Sequence, residues 1–245
     1  MKQKSQLLEI NLLGKGTNKR PIDKINSVDY IYPNSFLRQM GLVERRQKEK
    51  AEMRQNILDA AMELYVKEGF ESFSIRKIAE KIEYHPSTIY LYFEDKDSII
   101  FELHNIGFMK LLEKQMSIQN VADPLERLFA HGRAYLEFAL ENPHYYDIMF
   151  ILPNPTIKIA NCPRWEGKDR AYDLLKKNID ECMDAGHFSG LTDDGLAFIL
   201  WSLMHGIASL HIRRGVVLAE FYQGQTSNLV DYSLSMLRTF VEKLI

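Results

Sequence analysis

Two helices too short to stand alone set the terms for the whole chain. Ser74 can cap one helix over 75–82, and His85-Pro86 opens a second over 86–93, with only Glu83, Tyr84 and His85 between them. Proline at a first helical position is a start signal, because its missing N–H has no partner to lose there. An isolated helix below about 12–15 residues is marginal in water. These two must therefore be fixed by packing, and Ile78, Ala79, Ile82, Ile89 and Phe93 supply the seam, with Ala79 small where the helices cross. That geometry is a helix-turn-helix, whose second helix can lie in a DNA major groove. A plain helical core with a tight corner fits the same pattern.

The rest reads as helix almost throughout. No proline interrupts Arg46 to Phe70, and Met53, Ile57, Ala60, Ala61, Leu64 and Tyr65 recur at helical spacing up to a stop at Gly69. Asp95 caps a helix to about Ser117, Asp123-Pro124 starts one to about Glu141, and Pro143 starts one that ends by Pro153. Pro153, Pro155 and Pro163 make 152–164 a loop, and helices are predicted over 165–185, 192–214 and 227–244. No segment alternates with period two for long, so the expected fold class is all-α. Residues 1–43 stand apart. Gly14, Gly16, Pro21, Pro33 and Gly41 punctuate them, and seven basic against three acidic side chains leave them weakly basic. They are read as an extension with little structure. Met40, followed by GLVERRQKEK, makes a sensible start by itself, so 1–39 are expected to precede the native start.

Ser74-Ile75-Arg76-Lys77-Ile78-Ala79, and after the turn Ser87-Thr88-Ile89-Tyr90-Leu91-Tyr92-Phe93-Glu94-Asp95-Lys96-Asp97, resemble the DNA-binding domain of TetR-family transcriptional regulators over residues 46–100. The resemblance implies a TetR-like architecture. A three-helix helix-turn-helix domain would occupy 44–100, and a larger helical effector-binding and dimerisation domain 101–245. The family's turn usually carries Ala-Gly-hydrophobic, whereas this chain has Ile82-Glu83-Tyr84. Glycine adopts a left-handed backbone freely; Glu83 there would cost about 1 kcal/mol or more, so a slightly different turn is expected.

By position, the resemblance assigns base and phosphate contacts to Ser87, Thr88, Tyr90 and Tyr92, with His85 opening the reading helix. Pro86 and Leu91 would meet a thymine methyl, and Arg76 would grip guanine. Ser74 and Lys96 would hold phosphates. Arg45, Arg46, Lys48 and Lys50 form a basic arm. Packing for Tyr90, idle exposure for Leu91 and a solvated helix face for the arm are the alternatives. Residues 44–100 carry ten basic and twelve acidic side chains, so bulk attraction cannot bind DNA and the few cations must gather on one face.

Near the C-terminus, Leu196, Leu200, Leu203, Ile207 and Leu210 step by four, three, four, three, and Val230, Leu234, Leu237, Val241 and Leu244 do the same. Two heptad seams suit antiparallel packing and, doubled, a four-helix interface in a homodimer. Burial within one subunit is the alternative. Ser202, Gly206 and Ser209 make a second, small-residue stripe. Two-fold pairing would set two reading helices in successive grooves. The run Trp201-Ser202-Leu203-Met204-His205-Gly206, with 139–150 upstream, is similar to the WHG-type C-terminal domain of some TetR-like regulators, which implies ligand sensing. Phe108, Phe129, Tyr135, Phe138, Tyr146, Met149, Phe150, Trp165, Trp201, Met204 and His205 are the candidate lining of an effector pocket. For any one of them, ordinary core is the alternative.

The expected function is a regulator that binds a palindromic operator in double-stranded DNA as a homodimer, acts as a repressor and is released by a small apolar effector. An architectural DNA binder without effector, and a helical small-molecule-binding protein or enzyme, are the rivals. There is no glycine-rich phosphate loop, GxSxG or HExxH. His205 and His211 are six apart and face different sides of a helix, so neither a metal site nor a cofactor is expected. No apolar run is read as approaching the roughly 20 residues of a membrane span. A net charge of −2 excludes a histone-like coating protein. Two cysteines, Cys162 and Cys182, without a secretory leader fit a reduced cytoplasm.

Overall fold

The computed structural model describes residues 34–152, 166–221 and 229–243. Its elements are α1 (Asn34–Ser72), α2 (Ile75–Lys81), α3 (Pro86–Ile89), α4 (Lys96–Ser117), α5 (Pro124–Glu141), α6 (Pro143–Phe150), α7 (Glu166–Asp184), α8 (Asp193–Phe221) and α9 (Leu229–Glu242). No strand occurs among the described residues. By its contacts the chain divides into two units, Met1–Ala51 and Glu52–Ile245.

Capping chemistry sets the helix starts. The Ser74 hydroxyl accepts the Lys77 N–H at 3.3 Å, and His85 Nδ1 accepts the Ser87 N–H at 3.3 Å. Asp95 and Ser98 cap each other reciprocally, and Asp123 accepts the Glu126 N–H at 2.9 Å. Each satisfies a donor that a helix N-terminus leaves without a partner. Helix α1 differs from expectation at its front. Residues 34–43 are helical, twelve residues ahead of the predicted start at Arg46. A single glycine such as Gly41 costs a helix only about 1 kcal/mol, too little to stop it. Gly69 does break the helix, at φ 76° and ψ 173°, a backbone that side-chain-bearing residues rarely adopt. In the first unit, the described side chains of 41–50 are exposed and Arg45 pairs with Glu49 at 2.8 Å.

In the second unit, α2 ends in a left-handed turn centred on Glu83, at φ 60°. The Tyr84 N–H reaches the Ala79 carbonyl at 2.9 Å and the Glu83 N–H reaches the Glu80 carbonyl at 3.1 Å. These are the paired bonds of a Schellman stop, with Glu83 in the position glycine usually fills. The turn is thus the left-handed one that glycine closes freely, kept here by a glutamate at a cost rather than rerouted. Glu83→Gly should raise stability by about 0.5–1 kcal/mol, about 2 °C in Tm for a chain this long. Thermal melts read this, and a lowered Tm would contradict it.

The head core joins Ile57, Leu58, Ala61, Ile78, Ala79, Ile89 and Phe93 to Ile99, Ile100 and Leu103 of α4 and to Ile148 of α6. Ile82 packs partly against it. The expected boundary near residue 100 therefore falls inside α4, a helix that serves both parts. Helices α4 and α6 approach closely at Gly107, where a Cβ would collide with Met149 Sδ and lie 3.4 Å from Tyr145 Cβ. In the helical body, α5 lies against α6, α7, α8 and α9.

Two expectations are corrected here. Leu196, Leu200, Leu234 and Val241, read as an intersubunit seam, are buried within the single chain. Ile207 and Leu237 pack partly against the same interior, whereas Leu203 and Leu210 are exposed; Val230 is half-buried and Leu244 lies outside the described residues. Heptad spacing defines a stripe but not which side of a nearly all-apolar helix faces in. Secondly, Asp193–Arg213 is long and apolar enough to cross a membrane by length and composition. Its Leu200, Trp201, Met204 and His205 form one wall of a cavity in the helical body.

Candidate functional site

Helix α3 is four residues long and is prolonged by turns. The N–H of Tyr90 meets Pro86 O at 3.4 Å, that of Leu91 meets Thr88 O at 3.2 Å, and that of Phe93 meets Ile89 O at 3.0 Å. Ile89 pins it to the core, and the outer side carries Ser87, Tyr90 at 58% exposure and Leu91 at 75%. Pro86, Thr88 and Tyr92 are half-buried, and Tyr92 packs against the head core. His85 and Ser87 are also in contact, Nδ1 to Oγ, at 2.8 Å.

Charge on this side is selective. Lys77 pairs with Glu68 at 2.5 Å and Lys81 with Glu63 at 2.6 Å. Arg76, in the first turn of α2, is exposed and has no ion pair or hydrogen bond among the described residues. Lys96 holds its ammonium 4.4 Å above the Phe70 ring. Ser74 keeps its hydroxyl on its cap. Arg45 and Arg46 lie in the first unit and are exposed.

The body holds a cavity of about 780 Å³, within the range of sites that take drug-sized molecules, that opens to solvent beside the exposed Phe198, Ser202 and Gly206 of α8. Of the candidate lining, Phe108, Phe129, Tyr135, Met149, Phe150, Trp201, Met204 and His205 face it. Phe138 and Tyr146 do not; both are fully buried behind the wall. Trp165 lies outside the described residues, as does Cys162. Leu200, Leu237 and Val241 of the supposed seam are wall residues too. His104, Gln115 and His131 line the cavity and were not anticipated. Their signal was present: His104 and Gln115 continue the four-three-four stripe through Phe108 and Leu111, a polar residue at each end of a core-facing row.

Phe150 is the hub of the aromatic wall, with ring centroids 5.4 Å from Tyr146, 5.6 Å from Phe108 and His205, and 6.2 Å from Trp201. Tyr135 and Tyr146 bring their hydroxyls to 3.2 and 3.1 Å from His205 Nδ1. Burial, and then the Arg213 charge, hold the His205 imidazole below its ordinary pKa. Burial pushes the Tyr135 hydroxyl well up. His131 is pulled down to about 4 by burial and then by Arg127. Among the described residues no cluster of three His, Cys, Asp or Glu is placed to hold a metal ion.

The His131 shift fixes a pH dependence. The unfolded chain protonates this ring below about pH 6.5, while the folded protein resists until about 4. Stability is therefore full above about 6.5 and falls as pH drops toward 4, by up to about 1.4 kcal/mol per unit. Denaturant titrations at pH 7.5, 6 and 5 should show this slope, and His131→Phe should flatten it. An equal slope in the variant would contradict the assignment.

Helix α6 touches both regions. Ile148 and Tyr145 pack in the head core, and Met149 and Phe150 line the cavity. Its Asp147 pairs with Arg213 of α8 at 2.6 Å.

A tight two-helix corner with its outer side open is the DNA-reading device of helix-turn-helix transcription regulators, and the chain is of that class. The model for bacterial regulatory proteins of the tetR family matches residues 57–103, and that for the tetracyclin repressor-like C-terminal domain matches 128–236. Together they cover more than half of the chain, which belongs to the TetR family. The uncharacterized HTH-type transcriptional regulator YobS of Bacillus subtilis is 25% identical over 189 residues, 77% of this chain and 91% of its own. Among solved structures, the TetR family transcriptional regulator PfmR of Thermus thermophilus superposes at TM-score 0.55 with 18% identity, over 76% of this chain and 97% of its own. The fatty acid degradation regulator FadR of Bacillus halodurans superposes at 0.59 with 18% identity, over 75% and 93%. These likenesses are to regulators, not enzymes, and the structural ones support the fold.

Proposed function

We propose that the protein is a cytoplasmic, homodimeric repressor that binds a palindromic operator and is released by a small, largely apolar effector. The observation that carries this reading is the pairing, in one unit, of an open α3 beside the exposed Arg76 with a cavity whose α4 and α6 walls continue into the head core. An effector can act only through a difference in affinity between two arrangements of head and body. Helices α4 and α6 are the elements a guest would bias. The WHG-type likeness of 201–206 belongs to this reading, and FadR's name lends it a precedent for apolar chemistry.

The dimer surface is taken from exposure rather than from heptads. Ile199, Leu203 and Leu210 are exposed on α8 around the small Ser202 and Gly206, and α9 adds Met236 and Phe240. A second copy meeting this surface two-fold would place two α3 helices toward one duplex. Leu203→Glu would set like charges against each other across that axis, at a cost of several kcal/mol. The intact chain should sediment as a dimer and footprint an inverted repeat recovered by genome-wide mapping. The variant should sediment as a monomer and lose at least about a hundredfold in operator affinity. A monomeric wild type with full affinity, or bound DNA scattered without a common repeat, would sink the reading.

A further inference from the structure

Gln115 and His131 bring buried polar atoms without a described partner to the cavity wall. Gln115 on α4 is 6% exposed and His131 on α5 is 3% exposed. Neither Gln115 Oε1 nor His131 Nδ1 has a hydrogen-bond partner among the described residues, and both side chains line the cavity. Gln119 ties them to one neighbourhood. Its Nε2 donates to the Gln115 backbone carbonyl at 2.9 Å and lies 3.4 Å from His131 Nε2. The carbonyl requires a donor at that position, so the amide orientation is fixed and His131 Nε2 accepts. The ring proton then sits on Nδ1. Around Gln119 the wall therefore offers a donor, His131 Nδ1–H, and an acceptor, Gln115 Oε1, neither matched among the described residues. Native interiors seldom leave such groups unmatched.

Charge is absent from the rest of the wall. No Lys, Arg, Asp or Glu is among the described lining residues. His131 is uncharged at neutral pH, since burial and Arg127 hold it to about 4. Arg127 is itself engaged by Glu181 and by the Val121 carbonyl. An ionised guest would lose its hydration and find no counter-charge.

We infer that the cavity takes an uncharged amphiphile: an apolar body with a hydroxyl or primary carboxamide head that accepts from His131 Nδ1–H and donates to Gln115 Oε1. The assignment rests on reading the cavity as the effector site. It sets the chain apart from a sensor of free carboxylates, for which the described wall provides no Lys or Arg.

The test uses the intact chain and unbranched probes of six to fourteen carbons in four forms: alcohol, primary amide, carboxylate and ammonium. Binding is followed at pH 7.5 by calorimetry and by tryptophan fluorescence, since Trp201 lies in the wall. At matched length the alcohol and amide should bind at least tenfold tighter than the carboxylate and ammonium. Gln115→Leu with His131→Phe should weaken the alcohol and amide about tenfold and leave the weak ionic probes unchanged. Ligand-free Gln115→Leu should melt at or above the wild-type temperature, because it removes an unmatched acceptor; a purely structural glutamine would lower the melt. Carboxylate binding as tight as alcohol, no binding of any neutral probe, or wild-type alcohol affinity in the double variant would overturn the inference. Operator binding is measured separately without probes. Its absence would overturn the regulator reading and leave the head-group result standing.

Discussion

Arg76→Ala combined with Tyr90→Ala should lower operator affinity at least about a thousandfold while the protein stays folded and dimeric. Arg76 is an exposed guanidinium on the neighbouring α2 with no ion pair or hydrogen bond among the described residues, and Tyr90 is an exposed aromatic at the end of α3. A bidentate base contact is worth about 1–3 kcal/mol of discrimination. Two Arg76 pairs at about 2 kcal/mol each, one per subunit, already come to about 4 kcal/mol, or about three orders of magnitude, and loss of Tyr90 adds to that. Folding should hardly notice, because exposed side chains without partners change stability by about 0.5 kcal/mol or less. Fluorescence anisotropy on the mapped operator, with sedimentation as control, measures both. An affinity within threefold of wild type would remove these two residues from the reading surface.

The second large effect is expected inside. Ile148 is 1% exposed and belongs to the head core although it sits on α6, in the helical body. Truncating a buried isoleucine costs about 2–5 kcal/mol, through lost transfer energy and the void left behind. Ile148→Ala should therefore lower stability by about that amount, and Ile148→Val by only about 0.5–1.5 kcal/mol. Denaturant titration checks the pair. A loss below about 1 kcal/mol for the alanine variant would mean that α6 is not a structural part of the head.

The contrast between legible and hidden features follows from range. Caps are local chemistry, so Ser74, His85-Pro86, Asp95 and Asp123-Pro124 marked helix starts that the structure keeps. The cost of a left-handed Glu83 was legible for the same reason, since it lies in its own backbone, but the different turn expected from that cost did not form: surrounding packing keeps the left-handed stop. Sidedness was not legible. On α8, Leu196 and Leu200 turn in while Ile199 and Leu203 turn out, and neighbours distant in sequence decide which. The cavity was half legible. Aromatic residues such as Phe108 and Phe150 pointed to it, but Gln115 and His131 acquire meaning only when α4 and α5 bring their unmatched atoms to one wall. Tyr146 erred the other way: its hydroxyl serves His205 from behind the lining.

Ile148 and Phe150 are two residues apart on α6, an eight-residue rod about 12 Å long. One grips the DNA-reading part and the other faces the hollow. A short rod turns as a piece, so any roll that swings the Phe150 ring out of a guest's way sweeps Ile148 through the same arc. Close-packed interiors leave no play to absorb such a twist. In the proposed regulator, cargo and code would be geared to one axle, and the hand and size of its turn would set how much of one is felt by the other.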